Sequence, residues 1–423
     1  MTKLLQPEEF IQLIDKDMDI IIPLSNGEPH GLLDILEEHH KQLENVKVHQ
    51  LLALRERDYI NGKMKGHLSH ISYFLSAATR KAFWEGHVEL IPNVFQEMYY
   101  LLRKTTKNPM VIAVASPMDE HGYFSLGTNA DYTADFIGEV PFVLEVNKHM
   151  PRTFGKHQIH ISQVAGFIEN DQILAEEKSP VITDKDRKIA EFVAADIQDG
   201  DTLQIGIGAI PNAVMKMLKD RRHLGIHTEM LTDGIVDLVE AGAVDGMRKM
   251  THKGKIVASF AFGSQRLYDF INNNPSVEFL PVRLVNDSYE IAKEDHMVSI
   301  NATTEVDLYG QCASETVAGR YYSSSGGQAD FARGVRLSKY GKGYVCMHST
   351  VKNDAISRIK LHLSEGSVVT TSKNYVDNIV TEYGIARLHG KSISERAKAL
   401  IGIAHPKFRD DLTREAKEFG LID

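Results

Sequence analysis

Short apolar runs rich in β-branched residues alternate along this chain with segments of helical period. In the first half, the apolar runs are residues 18–24, 47–54, 110–115 and 142–146. Between them, segments such as 32–43 and 93–104 repeat apolar residues at intervals of three and four. This alternation is typical of βα units, in which the helices cover a sheet of parallel strands. The pattern therefore predicts an α/β fold whose first half is an open, largely parallel unit.

A polar stretch at residues 171–183 separates this region from a second one. Thr183 then opens a segment of helical period, which it can cap together with Asp186. The predicted buried stripe of that helix consists of Ile189, Phe192, Val193 and Ile197. Because 423 residues exceed one ordinary domain, two domains are expected. We predict an N-terminal α/β domain over residues 1–182 and a second α/β domain over residues 183–423.

Charge and cysteine content disfavour several classes of protein. The chain has 48 basic and 57 acidic residues and no dense run of lysine and arginine, which argues against nucleic-acid binding. Its two cysteines, Cys312 and Cys346, are too few for a disulfide framework and fit a reducing, cytosolic compartment. No apolar run approaches membrane-spanning length, and the N-terminus turns acidic before a signal peptide could form. No metal site is predicted, because neither histidine pair has further ligands beside it: His67 with His70, and His157 with His160.

The most informative segment covers residues 202–214, where a predicted strand ends in Gly206-Ile207-Gly208. Pro211 falls in the first turn of the following helix, which tolerates a residue without an N–H. Backbone N–H groups at such a helix start can hold a carbonyl or a phosphate. The alternative is that the two glycines only make a tight connection. Proline at 211 replaces the third glycine of the dinucleotide fingerprint, which disfavours a nicotinamide or flavin site.

A second segment places Glu229 near the C-terminal end of a strand, followed by a helix that Thr232 would cap. Ligands of open α/β sheets collect at the carboxyl ends of the strands. Glu229 and the Gly206–Gly208 turn would both lie on that edge and could be neighbours. Alternatively, Glu229 is an ordinary solvated or salt-bridged residue.

Two further segments are candidates for supporting roles. Residues 323–334 are rich in serine and glycine, so their backbone N–H groups could stabilise an oxyanion, although such a run can also be a surface loop. Glu382 follows an apolar run and is a candidate for orienting the nucleophile. The acidic residues around 305–315 are more typical of a solvated turn.

Several segments, taken in order, resemble the acetyl-CoA hydrolase/transferase family, and within it the 4-hydroxybutyrate CoA-transferases and butyryl-CoA:acetate CoA-transferases. They are residues 80–86, 116–127, 206–211, 227–242, 326–331 and 380–384. The N-terminal region matches less closely, since residues 22–29 stand in place of the family's glycine-rich opening. The resemblance implies two similar open α/β domains of the class I CoA-transferase type, with the active site between them.

The resemblance also implies the chemistry and the residues that perform it. Glu229, in the family's His-Ser/Thr-Glu-Met position, would be the catalytic residue. Contacts with coenzyme A would come from the Gly-x-Gly turn and the Gly-Gly-Gln turn: Gly206, Ile207, Gly208, Ala209, Ile210, Gly327 and Gln328. The enzyme would move coenzyme A between a short-chain acyl-CoA and acetate, butyrate or 4-hydroxybutyrate, by a ping-pong mechanism through a glutamyl-CoA thioester.

No permanently bound cofactor is expected, because coenzyme A enters as a substrate. The expected partners are small molecules, without nucleic acid or membrane, and family analogy implies a homodimer or larger homo-oligomer. Two alternatives are an acyl-CoA hydrolase, in which water resolves the same intermediate, and a non-enzymatic protein that only senses coenzyme A.

Overall fold

The computed structural model describes residues 3–178 and 180–423, so Ser179 in the predicted boundary stretch lies outside the described residues. The α-helices are α1 Pro7–Ile11, α2 His30–Glu38, α3 Ala77–Trp84, α4 Met98–Thr105, α5 Asp184–Asp196, α6 Ala209–Met217, α7 Asp233–Glu240, α8 Gln265–Ile271, α9 Val282–Val285, α10 Ser288–Ala292, α11 Gln328–Leu337, α12 Ile393–Gly402 and α13 Pro406–Glu418. Short 3₁₀ turns cover Ser25–Gly27, His40–Gln42, Phe95–Glu97, Ala134–Phe136 and Ile161–Gln163.

The strands are β1 Asp19–Ile21, β2 Val46–Gln50, β3 Leu68–Ser72, β4 Val88–Leu90, β5 Met110–Ala115, β6 Tyr123–Ser125, β7 Phe142–Val146, β8 Gln158–His160, β9 Val164–Glu169, β10 Thr202–Ile205, β11 Gly225–Leu231, β12 Ile256–Ala261, β13 Val277–Phe279, β14 Met297–Ala302, β15 Glu305–Asp307, β16 Cys312–Ala313, β17 Thr316–Val317, β18 Arg320–Tyr321, β19 Lys342–Cys346, β20 Thr350–Val351, β21 Ile356–Ser357, β22 Ile359–Lys360, β23 Asn378–Thr381 and β24 Gly384–Arg387. Strands β5 and β7 coincide with the apolar runs that predicted them. β1 is shorter than its run, because the chain passes through Pro23 into a turn.

The chain forms two compact units. The first unit consists of residues 1–177 and 257–285, and the second consists of residues 178–256 and 286–423. The predicted division into domains at residue 183 stays a prediction. The units differ from it mainly because segment 257–285 clusters with the N-terminal part of the chain.

The sheet of the first unit runs in the order β4-β3-β2-β1-β5-β7-β9. Every one of these strand pairs is parallel. Residues on both faces of the central strands are buried, as expected for a sheet covered by helices. Ile20, Val48 and Ile112 belong to the same apolar core, which also includes residues of α2.

In the second unit, strands run in the order β11-β10-β14-β19-β23-β24. The pairs are parallel except for the last, in which β24 runs antiparallel to β23. The predicted α/β fold with largely parallel sheets is therefore confirmed. No helix in the described ranges is both long enough and apolar enough to cross a membrane.

Helix α5 begins directly after its N-cap Thr183, as predicted. The Thr183 side chain accepts from the backbone of Asp186, and the Asp186 carboxylate accepts from the backbone N–H of Thr183 at 2.8 Å. Ile189 and Val193 are fully buried, but the prediction for Phe192 is wrong, because its side chain is 38% exposed. The buried stripe passes through residues 189, 190, 193 and 194, so position 192 falls at its margin.

Candidate active site

Glu229 lies near the C-terminal end of β11, as the sequence predicts. Its neighbours Thr228 and Met230 are buried, whereas Glu229 itself is half-buried. Strands β10 and β11 pair in parallel with Leu203 opposite Ile226. Continued along both strands, this register brings Gly206 level with Glu229. The Gly-x-Gly turn and the glutamate therefore lie on the carboxyl edge of adjacent strands.

Two groups from other parts of the second unit hold the Glu229 carboxylate. The side-chain amide nitrogen of Asn286 donates to Oε2 at 2.8 Å, and the backbone N–H of Gly327 donates to the same carboxylate. Asn286 is fully buried, between α9 and α10. We call Glu229, Asn286 and Gly327 together the glutamate clamp.

Gly327 is in the clamp because only a residue without a side chain fits there. A Cβ atom at this position would lie 1.7 Å from Oε2 of Glu229 and 2.3 Å from Nδ2 of Asn286. Its φ of −95° is open to any residue, so the requirement for glycine is steric rather than conformational. Gly327 is also the N-cap of α11, which directs the positive end of that helix dipole at the carboxylate.

The predicted oxyanion segment 323–334 is partly loop and partly helix. Residues 323–327 are irregular, and α11 begins at Gln328. Gln328 is 6% exposed, and its amide nitrogen donates to the carbonyl of Ala302 at the end of β14, at 2.9 Å. The side chain thus ties the start of α11 to the sheet and fixes the position of Gly327.

The electrostatic balance at Glu229 has two opposing parts. Burial raises the pKa of the carboxyl group above its ordinary value, because desolvation disfavours the charged form. Hydrogen bonds from Asn286 and Gly327 favour the charged form and lower the pKa again, but by less than burial raises it. The result is a carboxylate that is less stabilised than one in water and still accessible to a ligand.

The Gly206–Ile210 segment connects the end of β10 to the start of α6. Gly206 donates to the Ile300 carbonyl at 3.0 Å, and Gly208 has φ 120°, a conformation that favours glycine. The Ile207 side chain between them is 53% exposed. Ala209 begins α6, whereas Ile210 is 8% exposed, so its side chain packs into the interior. The N–H groups in the first turn of any α-helix, α6 included, lack acceptors within the helix.

Glu382 does not belong to the glutamate clamp. Its Oε2 accepts from the Ser349 backbone N–H at 2.8 Å, and its Oε1 accepts from the Ser349 hydroxyl at 2.8 Å and lies 3.4 Å from Lys185 Nζ. These contacts connect the end of β23 to the first turn of α5. Asn286 and Gly327, rather than Glu382, therefore orient Glu229 among the residues that the structure describes.

Sequence reasoning missed Asn286 and also Asp330, whose Oδ2 accepts from Asn286 Nδ2 at 3.2 Å. Asn286 precedes a helix, where a polar residue reads as a cap, and that cap is in fact Asp287. Thr232, the predicted cap of α7, occupies the N-cap position, but its hydroxyl makes no capping hydrogen bond. Only the contacts show that Asn286, and not its neighbours in the chain, reaches Glu229.

The second histidine pair, His157 with His160, makes local contacts. His157 is fully buried, and its Nε2 lies 2.7 Å from the Thr153 hydroxyl, while His160 Nδ1 lies 2.7 Å from the Ser162 hydroxyl. Within residues 3–178 and 180–423, no group of three or more histidine, cysteine, aspartate and glutamate side chains is arranged to hold a metal ion.

Comparison with known proteins identifies the family to which this site belongs. Residues 1–183 match the acetyl-CoA hydrolase/transferase N-terminal domain, and residues 263–416 match the acetyl-CoA hydrolase/transferase C-terminal domain. The chain is 44% identical to succinyl-CoA:cyclohexane-1-carboxylate CoA transferase of Geobacter metallireducens, over 99% of this chain and 96% of that protein. It is 41% identical to 4-hydroxybutyrate coenzyme A transferase of Clostridium kluyveri, over 98% and 97%.

A solved structure has the same fold. RipA from Yersinia pestis superposes with a TM-score of 0.93 at 36% identity, over 99% of this chain and 98% of that one. The family that the sequence segments resemble is thus confirmed. This chain belongs to the acetyl-CoA hydrolase/transferase family and is an enzyme of that family.

Proposed function

We propose that this enzyme is a CoA-transferase that moves coenzyme A from a short-chain acyl-CoA to a small carboxylate by a ping-pong mechanism, with Glu229 as the nucleophile. The observation that carries the proposal is the glutamate clamp, which presents an accessible carboxylate to two N–H donors at a strand end. No separate general base is needed, because a carboxylate is already an anion when it attacks. No bound cofactor is needed either, because the glutamate itself stores the acyl group and then coenzyme A.

The proposed reaction has two steps in each direction. The Glu229 carboxylate attacks the acyl-CoA carbonyl, the C–S bond breaks, and a mixed anhydride and the CoA thiolate result. The thiolate then attacks the glutamyl carbonyl, which releases the first carboxylate and leaves a glutamyl-CoA thioester. A second carboxylate attacks this thioester, and the same two steps run in reverse to give the new acyl-CoA.

The donors of the glutamate clamp can stabilise the Glu229 oxygen that becomes negatively charged during the reaction. In the second step, attack on the glutamyl carbon converts a glutamyl oxygen into a tetrahedral oxyanion. Nδ2 of Asn286 and the N–H of Gly327 already face the Glu229 carboxylate, so they are preorganised for that oxyanion. One such donor is commonly worth about 3 kcal/mol of transition-state stabilisation.

For coenzyme A, we propose contacts with the backbone of Gly206, Gly208 and Ala209. The exposed Ile207 side chain offers apolar surface to the pantetheine arm, whereas Ile210 would contribute its backbone only. Gly327 and Gln328 would complete the binding region, the glutamine chiefly by anchoring its neighbour. Binding energy from this remote arm can drive the strained covalent step.

The acids we propose are acetate, butyrate and 4-hydroxybutyrate. The Clostridium kluyveri relative is named for 4-hydroxybutyrate and the Geobacter metallireducens relative for succinyl-CoA and cyclohexane-1-carboxylate, so a panel of acceptors should include all of these acids. We also propose a cytosolic homo-oligomer, by family analogy. Mass measurement in solution tests the oligomeric state.

The direct test is intact mass spectrometry of the enzyme with acetyl-CoA and no acceptor, followed by addition of butyrate. We expect a CoA-sized adduct that disappears as butyryl-CoA forms. Free coenzyme A without butyryl-CoA would instead identify a hydrolase, the other activity in the family's name. Absence of both adduct and turnover with every acid in the panel would refute the covalent mechanism.

Replacing Asn286 by alanine is expected to slow transfer by roughly a hundredfold, because one of the two oxyanion donors is lost. The measurement is steady-state transfer from acetyl-CoA to butyrate. Asn378→Ala is the matched control, since Asn378 is also buried and its Nδ2 donates to the Gly343 carbonyl at 3.0 Å at the opposite edge of the sheet. Equal losses in the two variants would assign Asn286 a structural role only.

As pH is lowered, the transfer rate should begin to fall at a higher pH than it would with a glutamate of ordinary pKa. Because burial raises the pKa of Glu229, kcat/KM for acetyl-CoA is expected to drop as pH falls through a value above about 4.3, the usual glutamate pKa. In Asn286→Ala, loss of a hydrogen bond to the charged form should raise the pKa further and move this limb to higher pH. The phosphates of coenzyme A would titrate identically with both enzymes. If the acid limb of the pH profile lies at the same pH in the parent and in Asn286→Ala, the assignment of that limb to Glu229 is wrong.

A further inference from the structure

The amide of Asn286 lies between two carboxylates. Its Nδ2 donates to Oε2 of Glu229 at 2.8 Å and to Oδ2 of Asp330 at 3.2 Å. An amide nitrogen carries two hydrogens, so it can serve both acceptors, whereas the amide oxygen in that place would face two acceptors. Among the residues that the structure describes, the Oδ1 atom of Asn286, on the other side, has no hydrogen-bond partner. The two carboxylates together therefore determine which end of the amide faces Glu229.

Of the two carboxylates, Asp330 is the one that takes no part in the proposed reaction and stays in place. It is 5% exposed and lies in the first turn of α11, where the helix dipole favours a negative charge. The Ser288 hydroxyl donates to the Asp330 backbone carbonyl at 3.3 Å, which joins α10 to the same turn. The carboxylate thus has little freedom to move away from Asn286.

Glu229, in contrast, changes its charge during the proposed cycle. It is an anion in the free enzyme, but in the mixed anhydride and the glutamyl-CoA thioester it is neutral. A neutral acyl oxygen attracts the Asn286 hydrogen less strongly than a carboxylate does. At those stages, Asp330 is the charged acceptor that still opposes rotation of the amide.

We infer that Asp330 is a positioning residue, which keeps Nδ2 of Asn286 directed at the reacting oxygen while Glu229 carries acyl or coenzyme A. The inference rests on the proposed function, since it assumes covalent intermediates on Glu229. It requires no contact between Asp330 and substrate. Its proposed effect passes through Asn286.

A double-mutant cycle tests this inference. Asp330→Ala removes the acceptor, and we expect transfer from acetyl-CoA to butyrate to slow about tenfold, as for loss of a hydrogen bond to a charged group. Asp330→Asn should lose less, because its amide oxygen can still accept from Asn286. In the Asn286→Ala background, Asp330→Ala is expected to cause no further loss, because the group it positions is absent.

Each possible result of the cycle either supports or refutes the positioning role of Asp330. A merely structural role at the start of α11 would persist in the Asn286→Ala background, so equal factors in both backgrounds would overturn the inference, as would parent-like rates in Asp330→Ala. Asn378→Ala, which removes a buried amide at the opposite edge of the sheet, is the control and should transfer at the parent rate. If Asp330→Ala does not fold, Asp330→Asn completes the same cycle. Lack of a CoA adduct in the parent enzyme would refute the proposed function itself, whereas an adduct in the parent with no coupling in the cycle would refute only the role of Asp330.

Discussion

Glu229→Gln is expected to lose the CoA adduct completely and to reduce transfer by about 10⁴-fold or more, as for removal of other catalytic nucleophiles. Glutamine has the same shape, and its amide oxygen can still accept from Asn286 and Gly327, so the clamp should remain assembled. A neutral amide does not attack a thioester. Intact mass with acetyl-CoA and the rate of butyryl-CoA formation measure the two effects.

The same variant should be no less stable than the parent at neutral pH. The folded-state pKa of Glu229 is raised, so the stability linked to its protonation is present below the unfolded pKa and lost as pH rises through the folded pKa. The parent therefore carries a penalty at neutral pH that the glutamine variant avoids. Thermal unfolding at acid and neutral pH should show that the stability of the glutamine variant, relative to that of the parent, increases as pH rises.

Glu294→Gln is the matched control for this result. Glu294 is 1% exposed and accepts from the backbone N–H of Met250 at 2.8 Å and of Thr251 at 3.0 Å, away from the carboxyl edge of the sheet. This substitution should leave adduct formation intact. Adduct formation by Glu229→Gln would mean that another residue is the nucleophile.

Gly327→Ala is expected to slow transfer by at least about 100-fold, although it adds a single methyl group. The new carbon would lie 1.7 Å from a Glu229 oxygen and 2.3 Å from the Asn286 nitrogen, so the clamp cannot close around it. Either the carboxylate or the start of α11 must move by more than an ångström, and misplacement of that size commonly costs about 100-fold in rate. Adduct formation and transfer rate are again the measurements.

Gly402→Ala provides the comparison for Gly327→Ala. A Cβ atom at Gly402, in α12, meets no atom of the described residues within 4 Å, so alanine should be accepted there without loss of activity. Parent-like adduct formation in Gly327→Ala would show that the clamp tolerates a side chain and would remove the steric basis of the proposed site.

The features that depend on residues close together in the chain could be predicted from the sequence. Alternation of apolar runs and helical segments predicted the α/β fold, because the periods of strands and helices are local properties. The Thr183 cap and the strand that ends near Glu229 follow from the same kind of pattern. The family segments predicted which glutamate is the nucleophile and which two glycine turns contact coenzyme A.

Which side chains come into contact could not be predicted from the sequence, because it depends on how distant segments pack. Asn286 is 57 residues from Glu229 and 44 residues from Asp330, and no local period indicates that all three share one hydrogen-bond network. Whether Gly206 lies level with Glu229 depends on strand order and register, and segment 257–285 joins the first unit for a similar reason. Local patterns encode which residues are buried, whereas the contacts among polar groups depend on how distant segments pack, and the chemistry of this site depends on those contacts.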